Sequence, residues 1–197
     1  AVVVVDTPAA ITVQPTASQT LCQGNTLTLT TTATGTGLTY QWFKGAAAIV
    51  GATSSTFTIA SVATGDAATY SVQVTSAGAC SNTVTSGNAV VSVDTPATIT
   101  AQPAASTTLC VGGTLNLSVT AAGSGAPTYQ WKKNGTAIVG ATSATFNIGA
   151  VATTDAGSYT VDVTSGGVCA NTVTSTVAVV VVNTPAAITV QPTASQT

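Results

Sequence analysis

Residues 40–42 read Tyr-Gln-Trp, and residues 66–70 read Asp-Ala-Ala-Thr-Tyr. Both motifs return 89 residues later (129 minus 40, and 155 minus 66), as Tyr-Gln-Trp at 129–131 and Asp-Ala-Gly-Ser-Tyr at 155–159. Two unrelated motifs that keep the same offset indicate an internal repeat rather than chance similarity. The sequence therefore predicts two copies of one domain.

A third motif marks where each copy begins. Residues 6–20 read DTPAAITVQPTASQT, residues 94–108 read DTPATITAQPAASTT, and residues 183–197 read NTPAAITVQPTASQT. The steps are 88 residues (94 minus 6) and 89 residues (183 minus 94). We predict two complete domains, at 6–93 and 94–182. Residues 1–5 are then the end of the last strand of a preceding domain, and residues 183–197 are the first strands of a following one.

The first and third copies of this motif differ only in having Asp6 or Asn183, whereas the middle copy differs from the first at Thr98, Ala101, Ala104 and Thr107. The larger period is thus two domains, or 177 residues (183 minus 6). Both ends look cut from a longer protein. A long array of nearly identical units is typical of a shaft or fibre, in which each unit meets its neighbours in the same way.

Charged residues make up only 4% of the chain, against roughly 25% in an average soluble domain. The net charge of −2 gives no attraction for nucleic acid or an acidic membrane surface. Since no apolar run approaches the roughly 20 residues that span a bilayer, membrane insertion is not expected.

Catalytic and metal-binding groups are equally scarce. The chain has no His or Glu, which general acid–base catalysis normally needs, so we predict no enzyme activity and no cofactor. A Ser–Lys dyad at Lys44 or Lys132 is the remaining enzymatic alternative. Calcium needs several oxygen ligands, and each domain start offers only Asp6, Asp94 or Asn183.

Short alternating segments separated by turn residues predict an all-β fold. In the first copy these segments are seven in number and lie at 11–14, 26–33, 38–44, 48–50, 56–59, 69–75 and 84–93. The second copy follows the same plan.

The Tyr-Gln-Trp strand followed by Asp-x-Ala/Gly-x-Tyr resembles the immunoglobulin-like superfamily. That resemblance implies tandem Greek-key β-sandwiches of about seven strands each. It also implies that Trp42 and Trp131 fill the two cores, and that a tyrosine corner, in which the phenol bonds to upstream backbone, forms in each copy from Asp66 and Tyr70 and from Asp155 and Tyr159. The alternative for the tryptophans is stacking on sugars.

The cysteines depart from the antibody pattern of that superfamily. Where antibody domains carry a disulfide between the sheets, this chain has aliphatic pairs, namely Leu29 with Val72 and Leu117 with Val161. Four cysteines allow three pairings. The repeat symmetry favours one bridge within each copy, Cys22–Cys80 and Cys110–Cys169.

Zinc is the alternative for the four thiols. The cysteines come singly, without the C-x-x-C spacing of structural zinc sites, so zinc is not favoured. Disulfides indicate export to an oxidising compartment.

The last strand of the second copy, Val-Ala-Val-Val-Val-Val at 177–182, is apolar on both faces, and Val2–Val5 repeat it. A strand apolar on both faces is normally covered on both, and the chain lacks the charges that keep edges and surfaces apart. We therefore predict a homo-oligomer, packed laterally into a multi-chain fibre through Val177, Val179 and Val181.

The wider pattern, with Gln-Pro near the first strand and Leu-Cys-x-Gly before the second, resembles tandem repeats of very large surface proteins of Bacteroidota-type bacteria. These are adhesins and filament proteins, often exported by the type IX system. The resemblance implies a cell-surface location, neighbouring repeats as partners, and a distant tip that binds host, prey or surface glycan. The predicted function is a structural shaft unit; the alternative is a ligand- or carbohydrate-binding module.

Overall fold

The computed structural model describes residues 5–190. The chain forms two compact units: the first contains the described residues up to Pro96 together with Gly167–Cys169, and the second contains the remainder. Within the described part of the chain the regular structure is β-strand, interrupted only by 3₁₀ turns at Thr64–Asp66, Thr153–Asp155 and Gly167–Cys169. The all-β prediction is confirmed.

The strands of the first unit are β1 (Ala10–Val13), β2 (Ser18–Cys22), β3 (Leu27–Thr30), β4 (Thr32–Thr34), β5 (Thr39–Lys44), β6 (Ala47–Ala48), β7 (Thr56–Ile59), β8 (Ala68–Thr75), β9 (Thr83–Thr85) and β10 (Ala89–Asp94). The larger sheet has the order β2-β10-β8-β5-β6, with β9 also paired to β8. The pairs β3–β7 and β1–β4 form separate two-stranded sheets. All pairings are antiparallel except β10 with β2.

The second unit repeats this plan with β11 (Thr98–Ala101), β12 (Ser106–Cys110), β13 (Leu115–Ser118), β14 (Thr120–Ala122), β15 (Thr128–Lys133), β16 (Thr136–Ala137), β17 (Thr145–Ile148), β18 (Gly157–Thr164), β19 (Thr172–Thr174) and β20 (Ala178–Asn183). Its larger sheet has the order β12-β20-β18-β15-β16. Residues 184–190 form no strand, and the rest of the predicted following repeat, like residues 1–4, lies outside the described residues.

Alternation along the strands builds each core. Leu27 and Leu29 are buried while the threonines between and after them are exposed, because successive side chains of a strand point to opposite faces. Each unit has its own cluster. The fully buried side chains are largest at Trp42, Tyr70, Leu27, Leu29, Val62 and Val72 in the first unit, and at Trp131, Tyr159, Leu115 and Leu117 in the second.

Two of the predicted strands, at 26–33 and 84–93, are each divided in two. At each break a buried side-chain hydroxyl forms a hydrogen bond that a main-chain group would form in a continuous strand. Thr31 separates β3 from β4, and its Oγ1 donates to the Val13 carbonyl at 2.9 Å. Ser86 separates β9 from β10, and its Oγ accepts the Val72 N–H at 3.0 Å. The predicted first strand, at 11–14, corresponds to β1, which pairs with β4. A strand that was not predicted, β2, follows it and pairs with β10.

Candidate functional site

The predicted apolar strip consists of Val177, which directly precedes β20, and of Val179 and Val181 on the outward face of β20. Val177, Val179 and Val181 are 49%, 43% and 41% exposed, whereas Val180 between them is 2% exposed. The residues opposite the strip are Ser106 and Thr108 on β12 and Ser158 on β18, so the neighbours of Val179 on both sides are polar but uncharged. The strip is the strongest candidate for a surface that another molecule covers.

The first unit carries a weaker version of this strip. The residues 89 positions earlier are Asn88, Val90 and Ser92 (177, 179 and 181 minus 89). Val90 is 46% exposed, but its two companions are polar. The three-valine strip is therefore a feature of the second unit that the first unit does not reproduce.

The lysines are held by nearby oxygens. Lys132 Nζ lies 2.6 Å from Asp162 Oδ2, and Lys44 Nζ lies 3.5 Å from Asp66 Oδ1. Lys133 Nζ donates to the Thr154 carbonyl and lies 5.8 Å from the centre of the Tyr159 ring. The two predicted candidates for a catalytic lysine, Lys44 and Lys132, each form an ion pair with an aspartate, Asp66 and Asp162 respectively.

Asp162 forms an ion pair with Lys132 in the second unit that has no counterpart in the first. Burial opposes its ionisation, but hydrogen bonds from Lys132 and Thr174 and the charge of Lys132 outweigh burial and hold the pKa of Asp162 below its ordinary value. The corresponding residues of the first unit are Phe43 and Gln73 (132 and 162 minus 89).

We therefore expect acid to weaken the second unit through this pair. A carboxyl whose pKa is lower in the folded state stabilises that state above its unfolded pKa, and the stabilisation disappears as the pH falls through the folded pKa. The contribution of such a pair is about 1 kcal/mol or less. Thermal unfolding between pH 7 and pH 2 should show it, and Asp162→Asn should remove that part of the pH dependence. An unchanged pH profile in this variant would contradict the assignment.

Both predicted core tryptophans are fully buried. Trp42 Nε1 donates to the Ser54 carbonyl and Trp131 Nε1 to the Ser143 carbonyl, each at 2.9 Å. Since every indole face is inside a unit and every indole N–H has an internal acceptor, these rings are not available to stack on a sugar.

The predicted tyrosine corners have one geometry in both units. Tyr70 Oη donates to the Asp66 carbonyl at 2.8 Å, and Tyr159 Oη donates to the Asp155 carbonyl at 2.8 Å. Each aspartate Oδ2 also accepts a backbone N–H three residues upstream. Burial first, and then the neighbouring aspartate charge, raise the pKa of both tyrosines above the ordinary value. The phenols are therefore neutral donors with a structural role.

The structure forms one disulfide, between Cys22 and Cys169, with Cα atoms 5.0 Å apart. Cys80 and Cys110 are free and exposed. The predicted pairs Cys22–Cys80 and Cys110–Cys169 are therefore wrong.

The physical reason is the direction of β2. Cys22 lies opposite Asp94 at the end of β10, beyond the point where Val91 meets Ala68, the first residue of β8. Cys80 follows the other end of β8, which is 8 residues long. At about 3.3 Å per residue this separates Cys22 from Cys80 by roughly 25 Å, far beyond the approximately 7 Å that a disulfide can span between Cα atoms.

The loop that carries Cys169 is held by Asp94, whose Oδ2 accepts the Val168 N–H at 2.9 Å. Gly167 has φ +69°, and a Cβ at this position would collide with the Asp94 carboxylate. Asp6 Oδ2 accepts the Ala79 N–H at 2.8 Å in the same way. These aspartates thus bind backbone N–H groups, and among residues 5–190 no three potential metal-ligating side chains of His, Cys, Asp or Glu cluster.

Sequence reasoning missed one further exposed pair, Val50 and Val139, which are 99% and 100% exposed. The predicted strand at 48–50 ends earlier, at Ala48, so Val50 lies in the turn that follows. The sequence did mark this turn as a repeated feature, because Ile-Val-Gly-Ala-Thr-Ser occurs unchanged at 49–54 and 138–143.

No helix within the described residues is long and apolar enough to cross a membrane. Two family models match the chain: one described as an Ig-like domain, CHU_C associated, over residues 8–92, and one described as an immunoglobulin domain over residues 96–165. No curated protein matches it.

Several solved structures are similar. A three-domain titin fragment, I67–I69 in an E-to-A mutated variant, is 21% identical with a TM-score of 0.64, and the match covers 90% of this chain and 66% of the fragment. Sidekick-1 immunoglobulin domains 1–4 are 20% identical (TM-score 0.67; 89% and 48% covered). DIP-gamma domains IG1 and IG2 are 11% identical (TM-score 0.67; 89% and 98% covered). The chain spans about two thirds of the titin fragment and about half of the four-domain Sidekick-1 fragment. Likeness at these identities concerns the fold.

Proposed function

We propose that this chain, which carries two immunoglobulin-like domains in tandem, is a repeating shaft unit of a large secreted bacterial cell-surface filament or adhesin, packed laterally with other copies into a multi-chain fibre. The domains of the array are bounded at 6–93 and 94–182, with residues 183–197 beginning the next one. The CHU_C-associated description of the model matching residues 8–92 supports this type of repeat.

The observation that carries the proposal is the valine strip. A strand of a monomeric sandwich normally alternates apolar residues inside with polar residues outside. On β20, Val179 and Val181 are outward and Val180 is inward. Since charges are what normally prevent association of sheet surfaces, this strip favours contact with another copy.

The strength of one contact fits an array. Completing the burial of a half-exposed valine contributes roughly 1 kcal/mol, so three valines give about 3 kcal/mol before the cost of association. This corresponds to a dissociation constant in the millimolar range or weaker for a single unit. A long array repeats the contact once every two domains. When many such contacts form at once between two chains, the overall affinity greatly exceeds that of a single contact.

The alternative function, a ligand- or carbohydrate-binding module, would be favoured by aromatic side chains on the exposed loops. In the described part of the chain the exposed large apolar side chains are valines and Ile188, which suit packing against another apolar surface better than recognition of a sugar.

The test is to place charge in the strip. The double variant Val179→Lys, Val181→Lys should abolish concentration-dependent self-association, measured by sedimentation at millimolar protein concentration, because a buried lysine must lose its hydration. In the native protein the same change should separate bundled filaments, as seen by electron microscopy.

Asn147→Lys is the matched control, since Asn147 is exposed on β17 in the other sheet. It adds the same type of charge without touching the strip and should leave association unchanged. A natural chain that sediments as a monomer throughout, with smooth single-chain filaments on the native surface, would refute lateral packing.

A further inference from the structure

The observed disulfide joins cysteines of two successive sequence repeats. Cys22 belongs to the repeat that begins at residue 6, and Cys169 belongs to the repeat that begins at residue 94. The repeat equivalent of Cys22 is Cys110 (22 plus 88), and the repeat equivalent of Cys169 is Cys80 (169 minus 89). The two free cysteines therefore correspond to the two partners of the bridge that the chain already forms. Cys110 corresponds to the cysteine at a strand end, the strand half of the bridge, and Cys80 corresponds to the cysteine in a loop, the loop half.

The strand half of the bridge is reproduced at Cys110. Cys22 lies opposite Asp94 in the β2–β10 pair, and Cys110 lies opposite Asn183 in the β12–β20 pair. The residue after each cysteine donates its N–H to the carbonyl of that opposite residue, at 2.8 Å from Gln23 and 2.9 Å from Val111. Cys110 thus ends its strand with the same backbone support as Cys22.

The loop half is reproduced at Cys80. Cys169 follows Val168, whose N–H binds the Asp94 carboxylate, and Cys80 follows Ala79, whose N–H binds the Asp6 carboxylate. The glycine before each of these residues, Gly167 or Gly78, has positive φ. In both loops a Cβ on that glycine would collide with the aspartate, so both loops are set by the same contact.

We propose that Cys80 and Cys110 are half-sites for disulfides to adjoining repeats of the same kind. Cys110 bonds the loop cysteine of the following repeat, and Cys80 bonds the strand cysteine of the preceding one. Every repeat would then be bridged at both ends, once through its strand cysteine and once through its loop cysteine. This inference rests on the array of repeats proposed above but not on its lateral packing.

The bond requires an oxidant, for which a low-molecular-weight disulfide such as oxidised glutathione is sufficient. The thiolate of one cysteine attacks that disulfide, forms a mixed disulfide and releases one small thiol. The second cysteine then attacks the protein sulfur of the mixed disulfide and releases the other small thiol. Two protein thiols are oxidised to one disulfide, and one small disulfide is reduced to two thiols.

The experiment lengthens the chain by one repeat. Because residues 183–197 repeat residues 6–20 except at position 183, the sequence of residues 21–93 is appended after Thr197, which places a copy of Cys80 in the loop of the repeat that follows Cys110. The lengthened chain has six cysteines, four of its own and two appended. It is refolded with reduced and oxidised glutathione, and the free thiols are then alkylated and counted by mass spectrometry.

The expected result is two free thiols, on Cys80 and on the appended copy of Cys22, with a disulfide-linked peptide pair joining Cys110 to the appended loop. The variant Cys110→Ser of the lengthened chain should show three free thiols, and the matched variant Cys80→Ser should keep the new bridge and show one. Four free thiols with Cys22–Cys169 intact, or a bridge within a single repeat such as Cys110–Cys169, would overturn the proposal.

Sedimentation of the same samples separates this inference from the proposed function. A lengthened chain that forms the new bridge but never associates supports the bridge and counts against the fibre. A chain that associates through the valine strip while Cys110 stays reduced counts against the bridge alone.

Discussion

Breaking the Cys22–Cys169 disulfide is expected to lower the free energy of unfolding by up to about 5 kcal/mol. The two cysteines are 147 residues apart in sequence, and in the chain-entropy model closing a loop of this length lowers the entropy of the unfolded chain and so raises its free energy by approximately that much. Denaturant unfolding with and without a reductant measures the change, and Cys169→Ser should reproduce the effect of the reductant.

Cys80→Ser and Cys110→Ser are the matched controls for this prediction. Both cysteines are free and exposed, and exposed substitutions away from special features usually change stability by no more than about 0.5 kcal/mol. If either variant destabilises the chain as much as Cys169→Ser does, the bridge lies elsewhere.

Trp131→Ala is expected to destabilise the second unit by about 3–5 kcal/mol. The indole is fully buried, its ring centre lies 6.0 Å from that of Phe146, and its Nε1 donates to the Ser143 carbonyl. The substitution leaves a cavity and removes the donor from that carbonyl. In the part of the chain that the structure describes, the core cluster around the indole contains aliphatic residues such as Leu117 and Val161 and no disulfide, so no covalent bond in that cluster offsets the loss.

The two units have separate core clusters, so the effect of Trp131→Ala should be confined to one unfolding transition. Differential scanning calorimetry should show one transition moved to lower temperature and the other nearly unchanged, and Trp42→Ala should move the other. Trp131→Phe keeps an aromatic ring and should have a smaller effect. A loss of less than about 1 kcal/mol in Trp131→Ala would contradict the central position of the indole.

The fold was predictable because its determinants are local or repeated. Alternation in segments such as 27–30 indicates a strand with one buried face, and the match of Tyr-Gln-Trp and Asp-x-Ala/Gly-x-Tyr at a fixed offset indicates two copies of one sandwich. The prediction of tandem immunoglobulin-like sandwiches is confirmed.

The outward valines of the candidate surface were also visible in the sequence. A period of two assigns Val179 and Val181 to one face and Val180 to the other once the strand is recognised. The exposure of Val50 and Val139 was not predicted, because it depends on where the short strands β6 and β16 end. That end is set by a turn and not by alternation.

The sequence by itself determined the class of fold, the repetition of one domain, the core tryptophans and tyrosines, and the face on which the valines lie. Only the tertiary structure decided which cysteines meet. Alternation specifies the faces of a strand, but it does not specify the neighbouring strand or its direction. The parallel pairing of β2 with β10 places Cys22 at one end of the sheet and leaves Cys80 at the other. A disulfide needs close Cα atoms, so the non-local pairing decides the bridge.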